Sequence, residues 1–277
     1  MATLFKLLGL ALGGYGALCL LVVVVQRGLM YFPSRASETE ALRAAKGLGL
    51  EAWRNDRGNL MGWRAPKPAP GIRVLVFHGN AGSALDRGYY LELLGSTGTE
   101  VILFEYPGYG AREGVPSRAA FVEHAMRAVT QLRKEAPGPV WLLGESLGGG
   151  VASQVASRRP AEIAGLLLLT PFARMTDVAA WHYPYLPVRL LLRDRWDNVS
   201  ALAGYQGPIG LFIAGRDEVV GTAQGHLLAR SLGARARIWE QPEAGHNTFS
   251  TRPEAHPWPQ IRTFLADPVT CNQQTSP

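Results

Sequence analysis

The stretch best equipped for chemistry is Gly144-Glu145-Ser146-Leu147-Gly148, which two further glycines follow. It joins a short apolar run, Val140 to Leu143, to a small-residue helical pattern, Leu147 to Arg158. A serine between glycines at such a junction fits a strained strand-to-helix turn that lifts its hydroxyl clear of neighbouring side chains. An unassisted hydroxyl is a poor nucleophile, so a base must take its proton and a carboxylate must orient the base. With serine on this kind of turn the expected chain order is Ser, acid, His, which leaves His226, His246 and His256 of six histidines. His226 falls inside a helical pattern and His256 precedes Pro257 at the start of another. His246, in Gly245-His246-Asn247 after the last apolar run, is the best placed.

The acid is expected at the end of a strand before that histidine. Ile209 to Ile213 runs into Ala214-Gly215-Arg216-Asp217-Glu218, so Asp217 is the first choice, Glu218 the second and Asp194 the third. A developing oxyanion needs fixed backbone N–H donors. Leu147 can supply one, and Asn80 or Ala81 in His78-Gly79-Asn80-Ala81-Gly82 the other. His78 lies on that same loop, ahead of Ser146, and reads as a structural imidazole.

These residues need elements to hold them. Apolar, β-prone runs occur at Ile72 to Phe77, Val101 to Glu105, Val140 to Leu143, Gly165 to Leu169, Ile209 to Ile213 and Arg237 to Glu240. Helical patterns separate or follow most of them: Ala84 to Ser96, Ser117 to Glu135, Leu147 to Arg158, Val219 to Leu232 and Glu254 to Ala266. Alternation of this kind predicts an α/β fold, a mostly parallel sheet with helices on both faces, whose reactive groups gather at the carboxyl ends of the strands. Ahead of it, Glu51 to Ala65 with the turn Asn55-Asp56-Arg57-Gly58-Asn59 reads as a hairpin.

The 277 residues are 47% hydrophobic and 18% charged, which excludes disorder through low hydropathy. Leu7 to Val25 is an uncharged run of 19 residues, about 28 Å as a helix, near the ~30 Å of a hydrocarbon core. It exceeds a signal-peptide core and ends in four valines, Gln26 and Arg27 with no small-x-small cleavage site, so it reads as an uncleaved single-pass anchor. Lys6 before it and Arg27, Arg35 and Arg43 after it leave both orientations open. The net charge is +6, and from Arg27 to Arg73 nine Lys/Arg face four acids. That excess beside the anchor suits acidic lipid, and no phosphate-binding glycine motif follows a strand, so no nucleic-acid partner is expected. Tyr31-Phe32, just past the anchor, fits either the membrane interface or the domain surface. The two cysteines, Cys19 and Cys271, make no disulfide framework and no zinc spacing. The division expected is an anchor at 1–30, one catalytic domain at 31–268 and a polar tail at 269–277.

Taken together, these pieces resemble the α/β-hydrolase superfamily, and more narrowly its membrane-anchored branch with depalmitoylating thioesterases and lysophospholipid lipases. The resemblance rests on the anchor with Tyr31-Phe32-Pro33-Ser34, on Phe77 to Gly82, on Tyr106-Pro107-Gly108-Tyr109-Gly110 and on Gly144 to Gly148. Thr170-Pro171-Phe172, Leu192-Arg193-Asp194-Arg195-Trp196, Asp217 and Gly245-His246-Asn247 complete it in order. Glu105 stands where Asp is usual, and the cysteine-rich amino terminus of the depalmitoylating members is missing. The resemblance implies a Ser146, Asp217, His246 triad that hydrolyses an acyl ester or thioester through an acyl-enzyme, without cofactor or metal. It also implies a lid, here short, between Phe172 and Tyr205. Its Trp181, Tyr183, Pro184, Tyr185, Leu186, Pro187, Val188, Leu190, Leu191, Leu192 and Trp196 are expected either to wall an acyl site supplied from membrane lipid or to pack as an ordinary helix over the sheet. A serine peptidase and a catalytically silent membrane-bound scaffold are the alternative readings.

Overall fold

The computed structural model describes residues 1–66, 71–95 and 98–267; the expected polar tail, with Cys271, lies outside them. Among the described residues there are ten strands: β1 (Phe32–Pro33), β2 (Glu51–Arg54), β3 (Leu60–Arg64), β4 (Arg73–Phe77), β5 (Ala81–Gly82), β6 (Glu100–Phe104), β7 (Val140–Glu145), β8 (Ile163–Leu169), β9 (Ile209–Ala214) and β10 (Ala236–Gln241). Eight of them form one sheet in the order β10-β9-β8-β7-β4-β6-β3-β2. Pairing is parallel from β10 to β6, and β3 and β2 add the expected hairpin as an antiparallel edge. The central strands β4, β6, β7 and β9 are buried at every position, as runs apolar on both faces require.

The helices are α1 (Ala2–Met30), α2 (Glu38–Gly47), α3 (Tyr89–Gly95), α4 (Arg118–Glu135), α5 (Leu147–Arg158), α6 (Met175–His182), α7 (Val188–Leu191), α8 (Asn198–Leu202), α9 (Thr222–Leu232) and α10 (Trp258–Ala266). Two cores result, one on each face of the sheet. Phe121, Val129, Val151, Val155, Leu202 and Leu228 of α4, α5, α8 and α9 fill the first. Ala45, Tyr90, Leu93, Trp258 and Phe264 of α2, α3 and α10 meet Trp63, Val76 and Trp141 in the second.

The sequence pattern overlooks α2, although Ser37 and Glu40 form a reciprocal capping box at its start. The helix expected over Ala84 to Ser96 is split into a 3₁₀ turn (Ala84–Arg87) and α3. The helix expected from Val219 starts at Thr222, because the N–H groups of Val219, Val220 and Gly221 are turned onto Asp217. The last helix starts at Trp258 and not Glu254, since a residue before proline, here His256, is driven out of helical conformation.

Helix α1 is long and apolar enough to cross a membrane, and the rest of the protein does not cover its apolar window. Its carboxyl-terminal end docks on the domain, and Tyr15 touches it from further along the helix. Gln26 is buried, and Arg27 pairs with Asp194 at 3.1 Å. Just beyond the helix, Tyr31 is buried against Phe121 and donates its hydroxyl to Asp194 at 2.9 Å. Of the two places open to Tyr31-Phe32, Tyr31 therefore takes the domain, while Phe32 stays half exposed. The next residues form β1, which pairs in parallel with β5 on the loop after β4.

Helix α5 approaches the sheet so closely that a Cβ on Gly148 would fall 2.0 Å from the Phe77 carbonyl oxygen. Gly148→Ala must push α5 off β4, and overpacking of this kind costs about 3 kcal/mol. Thermal melts of the detergent-solubilised protein are expected to show a clear loss for Gly148→Ala and none for Gly204→Ala, whose added methyl meets nothing within 4 Å.

Candidate active site

Ser146 stands between β7 and α5 at φ 51°, ψ −114°, a left-handed conformation that L side chains rarely adopt. The sharp turn is possible because a Cβ on Gly144 would lie 2.5 Å from the Gly148 carbonyl oxygen and the Gly149 nitrogen. Its backbone N–H is fixed to the Leu169 carbonyl at 2.8 Å. The turn presents the hydroxyl to His246, whose Nε2 is 2.9 Å from Ser146 Oγ, while Nδ1 lies 2.7 Å from Asp217 Oδ2. With the proton on Nδ1, His246 donates to Asp217 and accepts from the serine. All three are shielded, with exposures of 8% for Ser146, 5% for His246 and 8% for Asp217.

Asp217 lies on the turn after β9 and is heavily solvated by backbone. Its Oδ1 accepts from Val219, Val220 and Gly221 N–H at 3.0, 2.8 and 3.3 Å. Burial by itself would raise its pKa, but the His246 hydrogen bond and charge, together with the Val220 and Val219 N–H groups, outweigh it and hold the carboxyl below its usual range. It is therefore a permanent anion at neutral pH. Thr222 fixes the turn from behind, with its hydroxyl accepting from Asp217 N–H at 3.1 Å and lying 3.0 Å from the Ala214 carbonyl.

The other candidates go elsewhere. Glu218 points away from the imidazole but accepts the His246 backbone N–H at 3.1 Å, so it holds the loop that carries the base. Asp194 is buried with Arg27 and Tyr31, away from His246. His226 faces Glu240 at 3.6 Å. His78 is buried between Tyr106 and Tyr109, with Nε2 3.4 Å from Glu105 and Nδ1 against the Gly79 carbonyl, a structural imidazole as expected.

Of the oxyanion candidates, Leu147 opens α5, where the N–H groups of the first turn have no partner within the helix and carry its positive end. The loop Gly79 to Gly82 lies beside the nucleophile: a Cβ on Gly79 would be 3.8 Å from Ser146 Cβ. Asn80 sends its side chain to the Met30 carbonyl at 3.0 Å, and its own carbonyl accepts from Phe32 N–H and Tyr109 Oη at 2.9 and 2.7 Å. Asn80 and Ala81 are thus clamped between the end of α1 and the sheet.

The sequence reading misses the group beneath this loop. Glu145, buried next to the serine, accepts from Arg87 Nη2 at 2.7 Å, Tyr89 Oη at 2.7 Å and Tyr90 Oη at 3.1 Å. The Arg87 guanidinium also lies under Gly79 and Gly82. Burial alone would raise the Glu145 pKa, but Arg87 and the two tyrosine hydroxyls reverse that and hold it below the usual carboxylate range. Arg87 and Glu145 are 58 positions apart, so no local pattern pairs them. In the lid region, Val188 and Trp196 are core residues and not an acyl wall; Trp196 lies under α5 against Gly150. Trp181, Tyr183, Tyr185 and Leu190 are exposed.

Residues 68–193 match the family model Hydrolase_4, described as serine aminopeptidase, S33. An uncharacterized protein of Mycobacterium tuberculosis (strain H37Rv) is 32% identical over 256 residues, 90% of each chain. The lysophosphatidylserine lipase ABHD12 of Danio rerio is 33% identical over 125 residues, 41% of this chain and 33% of that protein. Among solved structures, an esterase of Pyrococcus furiosus superposes with a TM-score of 0.66 at 18% identity, covering 85% of this chain and 96% of the esterase.

Removing one partner of a buried ion pair costs about 3–5 kcal/mol, so Glu145→Gln, which strands Arg87, is expected to lower the melting temperature sharply at pH 7. The folded pKa of Glu145 is depressed, so its contribution is full above the unfolded value and is lost as pH falls through the folded one. The gap between wild type and variant in melting temperature should therefore narrow on acidification below the ordinary glutamate range. A gap independent of pH would contradict the assignment.

Proposed function

This chain belongs to the α/β-hydrolase superfamily, and from that premise we propose that it is a membrane-anchored serine hydrolase cleaving acyl esters or thioesters of lipid-like substrates. The observation that carries the proposal is the hydrogen-bonded line Ser146–His246–Asp217 at the carboxyl ends of β7 and β9. In this reading Ser146 Oγ attacks the acyl carbonyl while His246 Nε2 takes the hydroxyl proton, and Asp217 stabilises the imidazolium. The carbonyl oxygen, now negative, is met by the Leu147 N–H and by the Asn80 or Ala81 N–H on the clamped loop. Collapse of the tetrahedral species expels the alcohol or thiol, which leaves with the proton from His246. The remaining acyl-serine is attacked by water, whose proton goes to His246; collapse of this second tetrahedral species returns that proton to Ser146 Oγ and releases the carboxylic acid.

The anchor, residues 1–30, and the catalytic domain, residues 31–268, act as one unit. Arg27 and Gln26 belong to α1 yet hold domain groups, so an uncleaved helix favours the fold and cleavage within it would discard those contacts. An ester of a membrane lipid suits this arrangement, because an apolar helix keeps Ser146 beside the phase in which such substrates dissolve. The lysophospholipid activity in the name of the zebrafish relative favours the same substrate class over a peptide.

Fluorophosphonate labelling of membranes is the direct test. Wild type is expected to label, Ser146→Ala not at all, and His246→Ala only weakly. With an ester substrate, Asp217→Asn should lower turnover by about 10⁴-fold, as expected when the imidazole loses its orienting anion. Faster hydrolysis of an aminoacyl anilide than of a matched acyl ester would replace the proposal with the peptidase reading.

A further inference from the structure

Between α6 and α8 the chain turns through Tyr183-Pro184-Tyr185-Leu186-Pro187 into α7, and its outer side chains have no cover: Tyr185 is 88% exposed and Leu190 78%. This hairpin lies along α1. Tyr15 Oη donates to the Tyr185 carbonyl at 2.8 Å, Gln26 Nε2 donates to the Leu191 carbonyl at 3.2 Å, and Gln26 Oε1 accepts from Arg193 N–H at 2.7 Å. At a rise of ~1.5 Å per residue, Tyr15 lies about 16 Å along the helix from Gln26. The hairpin therefore follows α1 over that length, and its tip stands level with the middle of the apolar run 7–25. The medium that surrounds α1 there also surrounds Tyr185.

Much of the hairpin's backbone is paired internally, as a medium with little water favours. Pro184 and Pro187 have no N–H. Tyr183 N–H is bonded to Ala179, Leu186 to Tyr183, Val188 to Leu186, Leu190 to Pro187 and Leu192 to Val188, at 2.8 to 3.1 Å. Side chains of α1 take the Tyr185 and Leu191 carbonyls. Within 183–191 the one charged side chain is Arg189, on α7. Arg189 pairs with Asp177 at 3.0 Å, and Arg193 and Arg195 follow α7, an order that suits anionic headgroups outside and acyl chains inside.

Resting on the anchored-hydrolase reading, we propose that residues 183–191 insert into the leaflet crossed by the carboxyl-terminal half of α1, and that they guide an acyl chain from that leaflet to Ser146. The inner end of the hairpin reaches the turn that follows Asp217. His182 Nε2 is 2.7 Å from the Val219 carbonyl, in the turn that solvates Asp217, and a methyl on Gly221 would lie 3.9 Å from the Trp181 ring. Helix and hairpin together form a two-legged mount for the domain.

The test uses the full chain in vesicles of phosphatidylcholine and phosphatidylglycerol. Both native cysteines are replaced by serine, and an NBD fluorophore is placed on Tyr185→Cys, Leu190→Cys or Arg57→Cys. Positions 185 and 190 are expected to give blue-shifted emission, quenching by acyl-chain nitroxide lipid and little quenching by aqueous iodide, with position 57 in the β2–β3 turn the reverse. Iodide quenching at 185 and 190 equal to that at 57 would overturn insertion. Fluorophosphonate labelling of the same vesicles reports on the serine separately, so labelled protein with a water-exposed hairpin refutes insertion alone. The double variant Tyr185→Asp, Leu190→Asp should lose more than tenfold in turnover of a long-chain ester in vesicles while keeping that of a soluble short-chain ester. Equal loss on both esters would overturn the guiding role.

Discussion

The contact on which the rest depends is the seating of α5 against β4, with Gly148 directly over the Phe77 carbonyl. A helix held that close to the sheet leaves no room for a relaxed connection from β7, and Ser146 is forced to φ 51°. The strained turn is maintained because the packing on either side is rigid: β7 is buried throughout, and the first ten residues of α5 are buried too. The same seating brings the start of α5, and with it the Leu147 N–H, beside the nucleophile. One steric constraint thus sets both the Ser146 hydroxyl and the Leu147 N–H beside it.

Electrostatics then secures what sterics has arranged. Two carboxylates lie within the site, and their surroundings assign them different tasks. Asp217 faces an imidazole and three backbone N–H groups, which keep it ionised and aimed at His246. Glu145 faces a guanidinium and two phenols, and its charge ties the loop after β4 to the elbow. A third, Glu218, acts only through the His246 backbone. Three acids within reach of one reaction centre therefore divide into an orienting anion, a clamp and a loop tether.

Helix α1 enters this network at the oxyanion side. Its last turn holds the lid region through Gln26 and Arg27, and the residues just after it extend the loop after β4 through the β1–β5 pair. Burial and the neighbouring Asp194 charge keep the Tyr31 hydroxyl protonated as a donor. The end of the apolar helix is bonded directly to the loop beside Ser146, through the Met30 carbonyl and Asn80.

The sequence by itself determined the alternation of strands and helices, since a strand buried on both faces can only be written as a short apolar run, and the six runs read this way all became strands of the sheet. It also pointed to Ser146, Asp217 and His246, because the nucleophile turn needs its glycines and chain order limits where a partner can stand. Tertiary structure decided what depends on separations of tens of residues. Arg87 meets Glu145, Arg27 meets Asp194 and Tyr15 meets Tyr185, and no spacing in the chain announces those pairs. It decided, too, that Trp196 supports α5 and that Tyr185 and Leu190 face outward. Apolar side chains carry the same signature in sequence whether protein or lipid is to cover them, and only the packed chain distinguishes the two.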